Sequence, residues 1–81
     1  MIDARQQAEI LLEEWDLCCN ARPIGNAVDV QIEKDHCAPL AYNLQTQLVW
    51  GDEQEIVDVC TELAPRLKKL KEKVVIEILR S

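Results

Sequence analysis

The stretch VDVQIEKDHCAPLAYNLQTQLVW, residues 28–50, decides the fold class because it fits two secondary structures. Apolar and polar residues alternate over 28–33 and again over 40–50, with the period of a half-buried strand. Two such strands would form a β-hairpin between flanking helices, which gives an α+β fold. The competing interpretation starts a helix at Pro39 and ends it at Gly51, with Leu44 and Leu48 on the face of Cys37. We predict helix for 39–50 and keep the hairpin 28–33/40–50 as the alternative.

The chain after Gly51 carries the clearest packing signal. Six apolar residues recur at alternating spacings of four and three, as on a helix face that packs against another helix. These residues are Ile56, Cys60, Leu63, Leu67, Leu70 and Val74. Acidic residues dominate 52–62 and basic residues 66–73, an order that suits the helix macrodipole. We predict one helix over 52–79, kinked near Pro65, with a frayed end or a short terminal strand from Val74 onward.

The first segment is an amphipathic helix. Asp3 is a good N-cap, and Gln6 stands where its side chain can reach back to close a capping box. Helix-breaking residues over 20–26 end the apolar pattern, so the predicted helix covers residues 4–19. Trp15 and Trp50 are interpreted as anchors in the core. Together the segments predict a small, mainly α domain that spans residues 1–81.

Length and charge limit the class of protein. A chain of 81 residues forms one domain of modest stability. A net charge of −6 argues against binding nucleic acid over the whole surface, although it leaves the basic patch 66–73 as a local contact. No apolar run is long enough to span a membrane, and the N-terminus lacks a signal sequence. We therefore predict a cytoplasmic protein.

The residue inventory argues against catalysis and against a metal site. The single serine is Ser81, the single histidine is His36, and no glycine-rich phosphate loop is present. A zinc set could be drawn from His36 and three of the cysteines, Cys18, Cys19 and Cys37. Adjacent ligands do not converge on one ion as spaced pairs do, so reduced, buried thiols are the preferred interpretation. We predict no enzyme, no metal and no cofactor.

Two parts of the chain resemble a known family. The stretches LLEEW at 11–15 and NARPIG at 20–25 look like the opening of phage late-gene antitermination proteins of the Q type. Residues 55–60, 65–70 and 74–79 resemble the central helices of that family, which are similar to the first half of the DNA-binding region of sigma factors. The family's helix-turn-helix should follow residue 80, where this sequence stops. The resemblance therefore implies a helical body without the part that contacts DNA.

These observations predict a small acidic regulator that acts by binding protein, with RNA polymerase, another regulator or a second copy as the partner. The predicted binding residues form an apolar seam and a basic contact. They are Leu63, Leu67, Leu70 and Val74 for the seam, and Arg66, Lys68, Lys69 and Lys71 for the contact. The alternative is an inhibitor of a host or defence enzyme, or an antitoxin-like protein, that uses an acidic helix face. That face comprises Glu9, Glu13, Glu14 and Asp16.

Overall fold

A computed structural model describes residues 3–75, which form three helices and one pair of short strands. In chain order the elements are α1 (Ala4–Cys19), β1 (Arg22–Pro23), α2 (Ala27–Trp50), α3 (Glu53–Glu72) and β2 (Val74–Val75). The two strands are antiparallel, with Arg22 opposite Val75 and Pro23 opposite Val74. The prediction of a small, mainly α fold is confirmed.

The α1 helix forms as the sequence predicts. The Asp3 carboxylate accepts a hydrogen bond from the Gln6 amide at 2.8 Å, and the Gln6 side chain accepts from the Asp3 amide at 3.3 Å. This closed capping box satisfies two donors that the first turn would otherwise leave free. At the other end, the Asn20 side chain donates to the Asp16 carbonyl at 3.0 Å. The helix therefore ends where its own apolar pattern ends.

The second helix is twice as long as predicted, and the alternative hairpin 28–33/40–50 is wrong. The Asn26 side chain accepts a hydrogen bond from the Val28 amide at 2.8 Å and starts α2 there. Pro39 lies inside this helix rather than at its beginning. The alternation of Val28, Val30 and Ile32 has a different meaning on a helix, since Val30 is buried while its two neighbours in the pattern are exposed. The pattern therefore places apolar residues on both faces of α2.

The third helix carries the predicted seam from Ile56 to Leu70, with the last seam residue, Val74, in β2, and it passes unbroken through Pro65. Asp52 caps it by accepting from the Glu55 amide at 2.9 Å. The predicted boundary at residue 79 is wrong, because the helix ends at Glu72 and the chain turns into β2. The Ile24 amide donates to the Lys73 carbonyl at 2.9 Å, so pairing with the β1 segment replaces a further helical turn. Residues 76–79 lie outside the described part of the chain.

The core lies between α3 and the inner faces of α1 and α2, and α1 and α2 contact each other less. All six residues of the seam are buried in this core, so the seam faces the rest of the same chain. The remaining buried residues come from the other two helices and one further position on α3. They are Ala8, Leu11, Cys18, Val30, Cys37, Ala41, Leu44 and Val59. Among the described residues no charged or polar residue is buried, so apolar packing holds the helices together.

Candidate protein-binding surfaces

The apolar half of the predicted binding site lies inside the fold. Leu63, Leu67, Leu70 and Val74 are between 0% and 4% exposed and pack within the chain's own core. A partner could reach them only if α3 separated from α1 and α2. The alternating spacing identified a buried face correctly, but the helices that cover this face belong to the same chain.

The basic half of the predicted site is at the surface, where Arg66, Lys68, Lys69 and Lys71 are all exposed. Lys71 is neutralised locally, because its ammonium lies 2.7 Å from a carboxylate oxygen of Glu14. Within residues 3–75 the other three form no ion pair. We call Arg66, Lys68 and Lys69 the basic surface.

A shallow polar depression of about 710 Å³ borders the basic surface on the α2 side. It is lined by Arg66 and Lys69 from α3, together with Glu33 and His36 from α2. The Glu33 carboxylate is held by Lys73 at 3.5 Å, on the side of α2 that faces α3. The lining also includes Glu62, so it combines acidic and basic groups, which suits a polar contact better than an apolar ligand.

The acidic face predicted on α1 is divided by the structure. Glu9, Glu13 and Asp16 are exposed, whereas the Glu14 side chain is 31% exposed and paired with Lys71. The ion pair links α1 to α3, because Glu14 belongs to the predicted acidic face and Lys71 to the predicted basic contact. Because both partners remain partly solvated, the pair contributes no more than about 1 kcal/mol to stability. Its main effect is to remove one charge of each sign from the surfaces offered to a partner.

The cysteine thiols are held in their protonated form. Cys18, Cys37 and Cys60 are buried and Cys19 is exposed, all as free thiols. Burial raises the pKa of each, and it raises the pKa of Cys37 to about 11. A protonated thiol is a poor nucleophile and a poor metal ligand. Over residues 3–75 the structure brings no three His, Cys, Asp or Glu side chains into an arrangement that could hold a metal ion.

The sequence interpretation missed the outer face of α2. We give this name to the stripe of Val28, Ile32, Tyr42, Val49 and Trp50, whose exposed fractions are 63%, 46%, 74%, 68% and 85%. The prediction that Trp50 anchors the core is wrong, since it stands at the C-terminal end of α2 and points to solvent. Trp15, by contrast, is partly buried against the core.

A signal for this face was present in the sequence. Positions 28, 32, 35, 39, 42, 46 and 49 alternate by four and three, as the buried seam of α3 does, and they lie opposite Val30, Ala41 and Leu44. A helix with two such stripes shows no dominant apolar side, and this made the region look ambiguous.

No protein-family model matches the chain, and no curated protein or solved structure matches it either. Within the described residues, none of the helices combines the length and the apolar character that crossing a membrane requires. The chemistry of the surfaces is therefore the basis for the functional proposal.

Proposed function

We propose that this protein is a small, non-catalytic regulator that works in the cytoplasm and binds an acidic surface of another protein through Arg66, Lys68 and Lys69. The resemblance to Q-type antitermination proteins makes the transcription machinery the proposed target, with RNA polymerase as the first candidate. Contact with DNA is not part of the proposal.

The observation that supports the proposal is a cluster of cations that form no ion pair within residues 3–75, in a chain with an excess of acidic residues. Asp and Glu residues outnumber Lys and Arg residues by 15 to 9. Lys71 and Lys73, which follow the cluster, are paired with carboxylates of α1 and α2. The three residues of the basic surface stay exposed at the C-terminal half of α3, where the helix dipole favours them. Their field is thus directed to solvent, where it can steer and orient an acidic partner.

The second candidate function is inhibition of an enzyme that normally binds an acidic polymer. It is favoured by the exposure of Glu9, Glu13 and Asp16, which form no ion pair within residues 3–75. Loss of Glu14 to its pair with Lys71 leaves three carboxylates on this face rather than four. The basic surface remains the leading candidate because acids outnumber bases by 15 to 9, so cations that form no ion pair within residues 3–75 are less expected than carboxylates that form none.

Charge reversal at matched positions separates the two functions. The variant Lys68→Glu/Lys69→Glu changes the basic surface by four charge units, and Glu13→Lys/Asp16→Lys changes the acidic face by the same amount with opposite sign. All four side chains are exposed, so both variants should keep the wild-type helical circular dichroism.

Binding to purified RNA polymerase would be measured by biolayer interferometry at about 0.05 and 0.15 M salt, where charge screening differs. We expect the reversal on α3 to weaken binding at least tenfold, mostly through a slower association rate, and the reversal on α1 to have little effect. If RNA polymerase does not bind, or if both variants bind like the wild type, the proposed function is wrong. Recovery of a nuclease or toxin in a pull-down, lost only in the α1 variant, would establish the inhibitor instead.

A further inference from the structure

We propose that the outer face of α2 is the interface of an antiparallel homodimer whose two-fold axis passes beside Pro39. The inference goes beyond the proposed function and does not depend on it, since it uses a different helix face. The molecule that covers this face is a second copy of the chain.

The α2 helix is apolar on two opposite sides. Its inner side supplies Val30, Ala41 and Leu44 to the core, yet its outer side carries five large apolar residues in solvent. Helices that are apolar all around are normally covered on both sides. From the exposed fractions, the five side chains of the outer face together present about 600 Å² of surface. A standard interface needs about 800 Å² from each partner, so this face supplies most of one.

The positions of the outer face are spaced symmetrically about its centre. Pro39 occupies the middle position of the four-and-three pattern that runs from Val28 to Val49. If two copies of α2 cross antiparallel at Pro39, Val28 of one copy lies opposite Val49 and Trp50 of the other. Each copy then offers the surface that the other needs, as a two-fold interface requires.

Charge selects the antiparallel arrangement. All charged residues of α2 lie between Asp29 and His36, and residues 38–50 carry no charge. Antiparallel pairing sets each charged half beside the uncharged half of the other copy. Parallel pairing would bring Asp35 against its own copy, and like charges across an interface oppose association.

A polar contact would fix the register. In the antiparallel arrangement Asp35 lies opposite Tyr42 of the second copy. One carboxylate oxygen of Asp35 accepts a hydrogen bond from the Gln31 side chain at 2.9 Å, and the other can accept one from the phenol of that Tyr42. Ile32 lies opposite Thr46 of the second copy. The interface would therefore combine apolar contacts with one polar pair, Asp35 and Tyr42.

The molecular mass of the full chain in solution provides the first test. Analytical ultracentrifugation from about 1 to 100 µM should show a species of twice 9.3 kDa that dissociates on dilution. Tyr42→Asp should weaken dimerisation at least a hundredfold, because it sets a second carboxylate opposite Asp35. Tyr42→Phe, which removes only the hydroxyl, should weaken dimerisation about two- to tenfold.

A matched pair of variants controls for the general effect of adding charge. Val28 and Ile24 are equally exposed, at 63%, but Ile24 lies in the loop before α2. Val28→Asp should weaken the dimer about tenfold or more, and Ile24→Asp should leave it unchanged. Because both side chains are mostly in solvent, the fold should survive in each, which circular dichroism would verify.

Disulfide formation tests the geometry directly. In a Cys19→Ser background, which removes the exposed thiol, a cysteine introduced by Pro39→Cys should cross-link two copies rapidly. A cysteine introduced by Val28→Cys should not, since the two copies of residue 28 are then about 33 Å apart. Equal cross-linking at both positions would indicate parallel pairing and overturn the proposal, and so would a monomer throughout the concentration range. A monomer whose basic surface still binds RNA polymerase would refute the dimer and leave the proposed function standing.

Discussion

Replacing Pro65 by alanine should stabilise this protein. Pro65 lies in the interior of α3, where it has no amide hydrogen to donate to the Thr61 carbonyl. Its side chain is exposed, so replacing it leaves no cavity in the core. The seam is buried on both sides of it, at Leu63 and Leu67, which shows that the packing of α3 tolerates the proline.

The size of the effect has two bounds. The restored backbone hydrogen bond alone gives about 1 kcal/mol. The full difference between proline and alanine in a helix interior is about 3 kcal/mol. The free energy of unfolding should therefore rise by about 1–3 kcal/mol, against a total of roughly 4–12 kcal/mol for a domain of this size. For fewer than 100 residues this corresponds to an increase in Tm of roughly 5–20 °C.

Urea unfolding followed by the helical circular dichroism signal would measure the change. At a slope near 1 kcal/mol per molar urea, the midpoint should rise by roughly 1–3 M with the slope unchanged. Lys68→Ala is the control, because it also places alanine on the exposed side of α3 but restores no backbone bond, and it should change stability by less than about 0.5 kcal/mol. An unchanged or lower midpoint for Pro65→Ala would refute this reasoning, because it would mean that proline costs α3 no stability at this position.

Three further predictions concern backbone space, capping and thiol ionisation. Gly51→Ala should lower the unfolding midpoint, since the added Cβ would lie 2.9 Å from the Gln47 carbonyl oxygen, whereas Gly25→Ala meets nothing within 4 Å and should be neutral or slightly stabilising. Asp52→Ala should cost about 1 kcal/mol in the same assay through loss of the α3 N-cap, and Asp52→Asn should recover most of it. The stability should fall as pH rises from about 9 to 11, because the unfolded Cys37 thiol ionises near 9 while the pKa of the folded thiol is about 11. In Cys37→Ala that part of the pH dependence should disappear.

The sequence predicted those elements whose local and long-range signals agree. In α1 the capping residues Asp3 and Gln6 stand directly before an apolar stripe of helical period, so the boundary and the buried face follow from one segment. In α3 the apolar seam and the acid-to-base order both indicate helix. Val74 and Val75 are β-branched, and of the two alternatives given for this end, a frayed helix or a short strand, the strand is present.

The start of the second helix was predicted wrongly because apolar residues on two opposite faces leave no single apolar side in the sequence pattern. On a helix, residues two apart lie on nearly opposite sides, so Val28 and Val30 belong to different surfaces. A strand would place them on the same surface, and one chain pattern therefore supports both structures. Only the packing of Val30 and Leu44 against α3 resolves the choice, and this contact is not encoded in residues 28–50 alone.

For the candidate site, the sequence predicted which side chains avoid water but not what covers them. Sequence periodicity identifies which residues avoid water but not which surface covers them. Leu63 and Leu67 were therefore assigned to a partner when α1 and α2 of the same chain cover them. The exposed position of Lys68 and Lys69 follows from their place on α3 opposite the seam. The pairing of Lys71 with Glu14 joins helices far apart in the sequence, so no local pattern contains it.

The small β1–β2 pair has a consequence for the order in which the chain folds. It joins residues about 50 positions apart, and closing so long a loop costs entropy before any contact is gained. The three helices, whose hydrogen bonds are local, can form and collapse earlier. We therefore expect the strands to join last and to open first, so that the Ile24 amide exchanges with deuterium before the amides of α3 do. The segment between α1 and α2 would then detach from β2 while the core between the helices stays folded.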